Sequence, residues 1–204
     1  MPADRNGAAA HQDLDYVEAM YAGSDDPWRI ESGFYEQRRM ELILACLPRA
    51  RYRRGFEPAC AGGRLTERLA GRCDHLLAAD VSARAVELTR ARVPAAEVSQ
   101  LALPAQWPAG RFDLVVLSEF GYYLTPEAWQ QTLAQVAASL STDWTVLTCH
   151  WRHPFTERLI DTDELHAELA RQLPGRRVLA LADDDVTIEV WSADPLTVAQ
   201  HDQR

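Results

Sequence analysis

Lysine is absent: all 21 basic residues of this 204-residue chain are arginine. That excludes a phosphate-loop lysine, a lysine nucleophile and a pyridoxal phosphate Schiff base together. Positive charge is also outnumbered, with 30 acidic residues and a net charge of -9. Nucleic-acid binders draw their affinity from clustered positive charge, so no nucleic-acid partner is expected. Cysteine is scarce and scattered: Cys46, Cys60, Cys73 and Cys149 form no C-x-x-C pair. A zinc knuckle and a thioredoxin-type motif are thereby excluded, and four thiols in apolar stretches read as buried and reduced, as in the cytoplasm. No run approaches the roughly 18 apolar residues of a membrane span. The opening MPADRNGAAA lacks the apolar core of a signal peptide. A cytoplasmic protein without a membrane partner is expected; oligomeric state is left open.

What is present is 47% hydrophobic and 25% charged residues, enough for one sizeable core. Residues 1–10 are small and polar and are expected to be disordered. Leu14, Tyr16, Val17 and Met20 make a short helical stripe that GSDDPW breaks. Tyr35 to Leu47 suggests a second helix, stopped by Pro48. Residues 1–50 therefore read as a helical lead-in or cap, 51–193 as the main domain and 194–204 as a tail.

From Arg53 the chain alternates. Strands are predicted at Arg53–Ala59, His75–Val81, Glu97–Leu103, Phe112–Leu117 and Trp144–Cys149. Helices are predicted at Gly63–Leu69, Arg84–Arg92 behind Ser82, Pro126–Leu140 behind Thr125, and Thr162–Leu173. Arg177–Leu181 and Val186–Trp191 close the chain as a hairpin turning at Asp183, Asp184 and Asp185. Strand–helix alternation implies an α/β fold: a doubly wound, mostly parallel seven-stranded sheet with an antiparallel edge strand and an N-terminal helical cap.

Such sheets bind ligands at the carboxyl ends of the strands, where the strand order reverses. The first strand ends at Glu57-Pro58-Ala59-Cys60-Ala61-Gly62-Gly63, and Asp80 ends the second, 23 residues after Glu57. An acid there is placed to accept hydrogen bonds from both hydroxyls of a ribose. Without G-x-G-x-x-G, a dinucleotide pyrophosphate is disfavoured, leaving a ligand with a ribose and no pyrophosphate.

EPACAGG resembles the acid-x-G-x-G-x-G motif of the class I S-adenosylmethionine-dependent methyltransferases, with Ala59 and Ala61 replacing two glycines and Gly63 retained. Alanine is accommodated there if the backbone keeps negative φ. DPW at 26–28, EQRR at 36–39, Ser118-Glu119 before GYYL at 121–124, and HWRHP at 150–154 are similar to the nodulation-type (NodS-like) methyltransferases. The resemblance implies a Rossmann-like fold, S-adenosylmethionine as cofactor, and N-methylation of an amino sugar or oligosaccharide precursor, with a sugar deacetylase as a possible associate. A different small acceptor (a carboxylate, a hydroxyl or a natural-product amine) stays open, as does a non-catalytic cofactor-binding module.

The cofactor contacts that follow are Glu57, Ala59, Cys60, Ala61, Gly63, Asp80, Val81, Ala102, Leu103 and Ser118, with Trp28 and Arg38 from the lead-in. Ala102-Leu103 carries no acid, so adenine would rest on backbone and apolar packing. Arg38 or Arg39 suits a bidentate grip on a carboxylate; the alternative is a solvated basic face. Asp80 could instead cap the next helix. Glu119, just past an apolar strand, and His150 are the candidates for handling the acceptor's proton, with Tyr122 positioning it; for Glu119 the alternative is a strand-end salt bridge. Tyr122 and Tyr123 are adjacent, so one is expected in the core and the other in the acceptor pocket. Trp151, Arg152 and His153 offer an aromatic plane beside polar groups, which suits a sugar ring. His150 and His153 have no third ligand nearby, so no metal is expected.

Overall fold

The computed structural model describes residues 14–203. The expectation of disorder at 1–10, and the first residues of the stripe beginning at Gln12, lie outside them. Two helices open the chain, α1 (Leu14–Gly23) and α2 (Phe34–Cys46). Then follow β1 (Tyr52–Pro58), α3 (Arg64–Ala70), β2 (Cys73–Asp80), α4 (Ala83–Arg92), β3 (Glu97–Gln100) and β4 (Phe112–Ser118). The second half holds a 3-10 turn (Gly121–Tyr123), α5 (Pro126–Ser139), β5 (Leu140–Trp151), α6 (Thr162–Gln172), β6 (Arg176–Ala182), β7 (Val186–Ser192) and α7 (Val198–His201).

The seven strands form one sheet in the order β3-β2-β1-β4-β5-β7-β6. The β3-β2-β1-β4-β5 pairings are parallel, while β7 runs antiparallel to both β5 and β6. The order reverses between β1 and β4, and the crevice opens there.

Helices cover both faces, which explains why FDLVVLS is buried at every position. Along β4, Val115 and Leu117 face the layer of α5 and α6, packing with Trp129, Leu133 and Leu165. Leu114 and Val116 face the opposite layer with Met40, Ile43 and Leu69 of α2 and α3. Asp113 breaks the apolar run because its carboxylate accepts the backbone N–H groups of Arg53 (2.9 Å) and Arg54 (2.8 Å). The predicted caps operate: Ser82 accepts from the N–H groups of Arg84 and Ala85, and Thr125 from that of Ala128.

β5 is longer than predicted, because α5 passes directly into it at Leu140. The final segment also departs from a plain tail. Asp194 is buried, accepts from Arg49 Nε at 2.6 Å and contacts His201 at 2.8 Å, tying α7 to the sheet. At the hairpin tip, Asp183 accepts the N–H groups of Asp185 and Val186, so the acidic run is a turn. All four cysteines are buried and unpaired.

The strap between α1 and α2 folds around Asp26, whose carboxylate accepts from the N–H groups of Ile30 (2.7 Å) and Glu31 (3.0 Å). Ion pairs Arg84–Asp25 and Arg64–Glu31, both 2.8 Å, fasten it to α4 and α3. Trp28 stands edge-on to Tyr21 at 5.6 Å between ring centres.

Candidate functional site

A cleft opens over the tips of β1, β2 and β4. Its floor is the β1–α3 loop. Cys60 N–H donates to the Ala79 carbonyl (2.9 Å) and Gly63 N–H to the Cys60 carbonyl (2.9 Å), winding the loop into a tight turn. This winding puts Ala59 at φ 55°, Ala61 at φ 49° and Gly63 at φ 80°. The expectation of negative φ at the two alanines is therefore corrected: both adopt the left-handed region that glycine would take. Gly63 has a further constraint, because a Cβ there would meet Thr89 at 3.0 Å.

A left-handed alanine costs about 1–2 kcal/mol, which offsets the roughly 0.5–1 kcal/mol entropic cost of a glycine. Ala61→Gly is accordingly expected to leave stability unchanged or raise it by up to about 1 kcal/mol in urea denaturation. A loss of that size would contradict the left-handed geometry.

Asp80 stands beside this loop, nearly fully buried. Its Oδ2 accepts from Ala61 N–H (2.9 Å) and its Oδ1 from Ser82 N–H (3.0 Å). The capping role belongs to Ser82, so Asp80 is not the cap of α4. Burial lifts its pKa to about 6, against the lowering effect of these N–H bonds. Each carboxylate oxygen has capacity for a further donor.

Glu57 is buried at the end of β1, and its Oε2 has no partner. Burial raises its pKa to about 8, while Thr66 and Arg39 pull it down. The folded state thus holds this proton more tightly than the unfolded chain, whose ordinary value is 4.5. Glu57 therefore favours folding fully below pH 4.5, and that contribution is lost as pH rises through about 8. Glu57→Gln is expected to remove this pH dependence, on the order of 5 kcal/mol between the two ends. Urea midpoints of both proteins at each pH check it.

The opposite wall comes from β4 and the turn after it. Glu119 has φ 59°, and its N–H donates to the Cys149 carbonyl at 2.9 Å. This kink turns its side chain inward, where Tyr122 Oη donates to Oε2 at 2.8 Å and Oε1 is left unpartnered. Burial raises the Glu119 pKa, opposed by the Arg39 charge and the Tyr122 bond. Tyr122 and Tyr123 both line the cleft, which corrects the expected division between core and pocket. In a 3-10 turn neighbouring side chains lie about 120° apart rather than on opposite faces. Trp28 of the strap and Tyr123 of the turn both line the cleft.

Arg39, not Arg38, is the guanidinium in the cleft. Arg39 is 5% exposed; Nη1 donates to Ser118 Oγ at 2.6 Å, and Nη2 pairs with Glu36. Arg38 points to the other side of α2 and pairs with Asp183 at 2.7 Å. Position 39 lies four residues after Tyr35 and four before Ile43, within the inward stripe, and that spacing was the available signal. Glu36, also in the cleft, was not anticipated.

Several predicted contacts lie elsewhere. His150 is fully buried and bonded through Nδ1 to His166 Nε2 at 3.2 Å, so it does not face the cleft. Val81 and Ala102 pack with Val17, Tyr21 and Ala85, and Leu103 joins the α5–α6 core. Trp151 meets Tyr35 edge-on at 4.4 Å between ring centres. Arg152 donates to the Asp183 carbonyl and His153 pairs with Asp185, both on the exposed hairpin tip. Ala59, Cys60, Ala61, Ser118 and Trp28 line the cleft. Among the described residues no group of three His, Cys, Asp or Glu could hold a metal. No described helix is long and apolar enough to cross a membrane.

The cleft's two unpaired buried carboxyl oxygens, on Glu57 and Glu119, call for a polar ligand that hydrogen-bonds to them. Strand order, switch-point crevice and the acid ending β2 together define the class I S-adenosylmethionine-dependent methyltransferase fold. The sequence model of the Nodulation protein S (NodS) family matches residues 11–159, and the chain belongs to that family. It is 32% identical over 123 residues to nodulation protein S of Rhizobium tropici, covering 58% of this chain and 51% of that protein. With nodulation protein S of Bradyrhizobium diazoefficiens it shares 36% over 104 residues, covering 49% and 50%. The chain thus spans about half the length of the curated relatives it matches.

Among solved structures, a candidate methyltransferase from Pseudomonas syringae is 43% identical with a TM-score of 0.71, covering 78% of this chain and 99% of that one. The N-methyltransferase NodS of Bradyrhizobium japonicum WM9, crystallised with S-adenosyl-L-homocysteine, superposes with a TM-score of 0.79 at 21% identity, over 90% and 98% of the two chains.

Proposed function

We propose that this protein is an S-adenosylmethionine-dependent N-methyltransferase acting on the amine of an amino sugar or oligosaccharide precursor. The observation that carries the reading is one cleft holding two sets of groups. Asp80 and Glu57 stand at the tips of β2 and β1, and Glu119 with Tyr122 stands across from them. Membership of the NodS family supports the same reading.

When bound, S-adenosylmethionine supplies an electrophilic methyl group on a sulfonium. Asp80 would take the ribose hydroxyls, with Ala59, Cys60, Ala61 and Gly63 closing on the nucleoside. Arg39 is the side chain suited to a carboxylate, and Trp28 covers the cleft from the strap. On the acceptor side, Glu119 Oε1 has a free lone pair for the amine's proton. Its raised pKa makes it a stronger base than an exposed carboxylate. Tyr122 fixes that carboxylate through its hydroxyl bond, and Tyr123 lines the acceptor's approach. The remaining catalysis is alignment and exclusion of water.

The lone pair of an acylated nitrogen is delocalised into its carbonyl and is not free for this transfer, so a deacetylating enzyme would precede it. Cytoplasmic action accords with the four unpaired thiols. Incubation with methyl-labelled cofactor and a panel of free and acetylated amino sugars tests the reading. Label is expected on the free amines alone. Transfer only to non-sugar acceptors, or cofactor binding with no transfer at all, would overturn it.

A further inference from the structure

The buried histidine that left the cleft has a role of its own. His150 lies one residue before the end of β5 with its ring turned into the layer of α6, where Nδ1 meets His166 Nε2 at 3.2 Å. His166 Nδ1 stands 3.5 Å from Glu189 Oε2 on β7. That carboxylate also accepts from Arg177 Nη1 (2.6 Å) and Trp191 Nε1 (3.0 Å), which hold it in place. A contact between two neutral imidazole nitrogens carries one proton, contributed by one side. On His166, a proton at Nδ1 faces the carboxylate favourably, whereas a lone pair there would repel it. With a single proton on His166, held at Nδ1 towards the carboxylate, Nε2 is the acceptor and His150 Nδ1–H the donor.

This leaves His150 Nε2 as a bare lone pair, buried without a partner. Burial lowers the ring's pKa well below its ordinary value, and the Arg158 and Arg39 charges act in the same direction. The turn that carries the acceptor-side tyrosines packs beside this ring. A Cβ at Gly121 would come within 3.0 Å of Nε2 and 3.1 Å of the Trp129 ring. The Tyr122 ring stands edge-on to His150 at 5.5 Å. In the other tautomer an N–H would be pressed against this turn.

We propose that Glu189, His166 and His150 form a positioning row that locks His150 in one neutral tautomer, on which the Gly121–Tyr123 turn seats, and so holds the Tyr122 hydroxyl on Glu119. His150 and His166 are positioning residues, and the inference rests on the acceptor-side reading of Glu119 and Tyr122 given above.

Long-range proton–nitrogen spectra of labelled protein between roughly pH 6 and 8 read the tautomers directly. His150 is expected neutral, protonated at Nδ1 and bare at Nε2; a charged ring or an Nε2-protonated one overturns the proposal. Two variants separate hydrogen bonding from packing. His166→Leu fills space but cannot accept, whereas the amide oxygen of His166→Gln can. The leucine variant is expected to lose the protected Tyr122 hydroxyl resonance and to transfer methyl about tenfold more slowly, the size of one hydrogen bond. Affinity for S-adenosylhomocysteine should not change. The glutamine variant should recover most of both losses. A leucine variant equal to wild type, or a glutamine variant no better than leucine, overturns the row. Wild-type protein that shows the expected tautomer and hydroxyl resonance yet transfers no methyl supports the row and counts against the proposed function alone.

Discussion

Asp80→Ala is expected to weaken S-adenosylmethionine binding by about a hundredfold or more, since each hydrogen bond to a charged group contributes about 1.5–3 kcal/mol. The carboxylate already accepts from Ala61 and Ser82, which aims it; its remaining lone pairs are the ones a ribose would meet. Asp80→Asn, which keeps the shape and removes the charge, should fall between the two. Because the Asp80 pKa lies at about 6, the ionised acceptor predominates at neutral pH and affinity should decline as pH falls through that value. Isothermal titration at several pH values checks both statements. Unchanged affinity in the alanine variant would remove the assignment of β2 as the ribose-binding strand.

Glu119→Gln should give the opposite kinetic pattern. Loss of a positioned general base typically costs about 10²–10⁴ in rate. The glutamine oxygen can still accept from Tyr122, so the turn should keep its geometry. Turnover is expected to fall within that range while cofactor affinity changes by less than about threefold. A variant that loses cofactor affinity but keeps its turnover would move Glu119 to the cofactor side. Tyr122→Phe should be milder, because it removes the orienting bond and leaves the base.

Much of the fold was legible because local and global preferences agree. FDLVVL is apolar on both parities, so it reads as a strand covered on two faces, and it is the central strand of the sheet. Ser82 and Thr125 announce helix starts through side chains that accept N–H bonds, and both do so. Asp80 was found from its spacing to Glu57, since the βαβ unit fixes the distance between successive strand tips.

The parts that were not legible share a cause: each depended on a direction in space that residue type does not encode. Ala59 and Ala61 conceal positive φ, because that conformation is inferred from glycine and these positions have none. His150 shares its strand parity with Val146 and Thr148, and Val146 packs into the α5–α6 core. Knowing that parity requires knowing which helices cover which face. Adjacency suggests opposite directions for Tyr122 and Tyr123, while the chain there winds as a 3-10 turn. Arg38 and Arg39 differ only by position on α2, and one step of about 100° sends one to Asp183 and the other into the cleft.

The central claim is that a sulfonium nucleoside lies across the tips of β1 and β2. A crystal structure of the protein soaked with S-adenosylhomocysteine tests it most directly. Ribose hydroxyls are expected on the Asp80 carboxylate, with the thioether sulfur facing Glu119 and Tyr122. Nucleoside density on another face of the sheet, or a cleft that stays closed by its own side chains at saturating ligand, would contradict it.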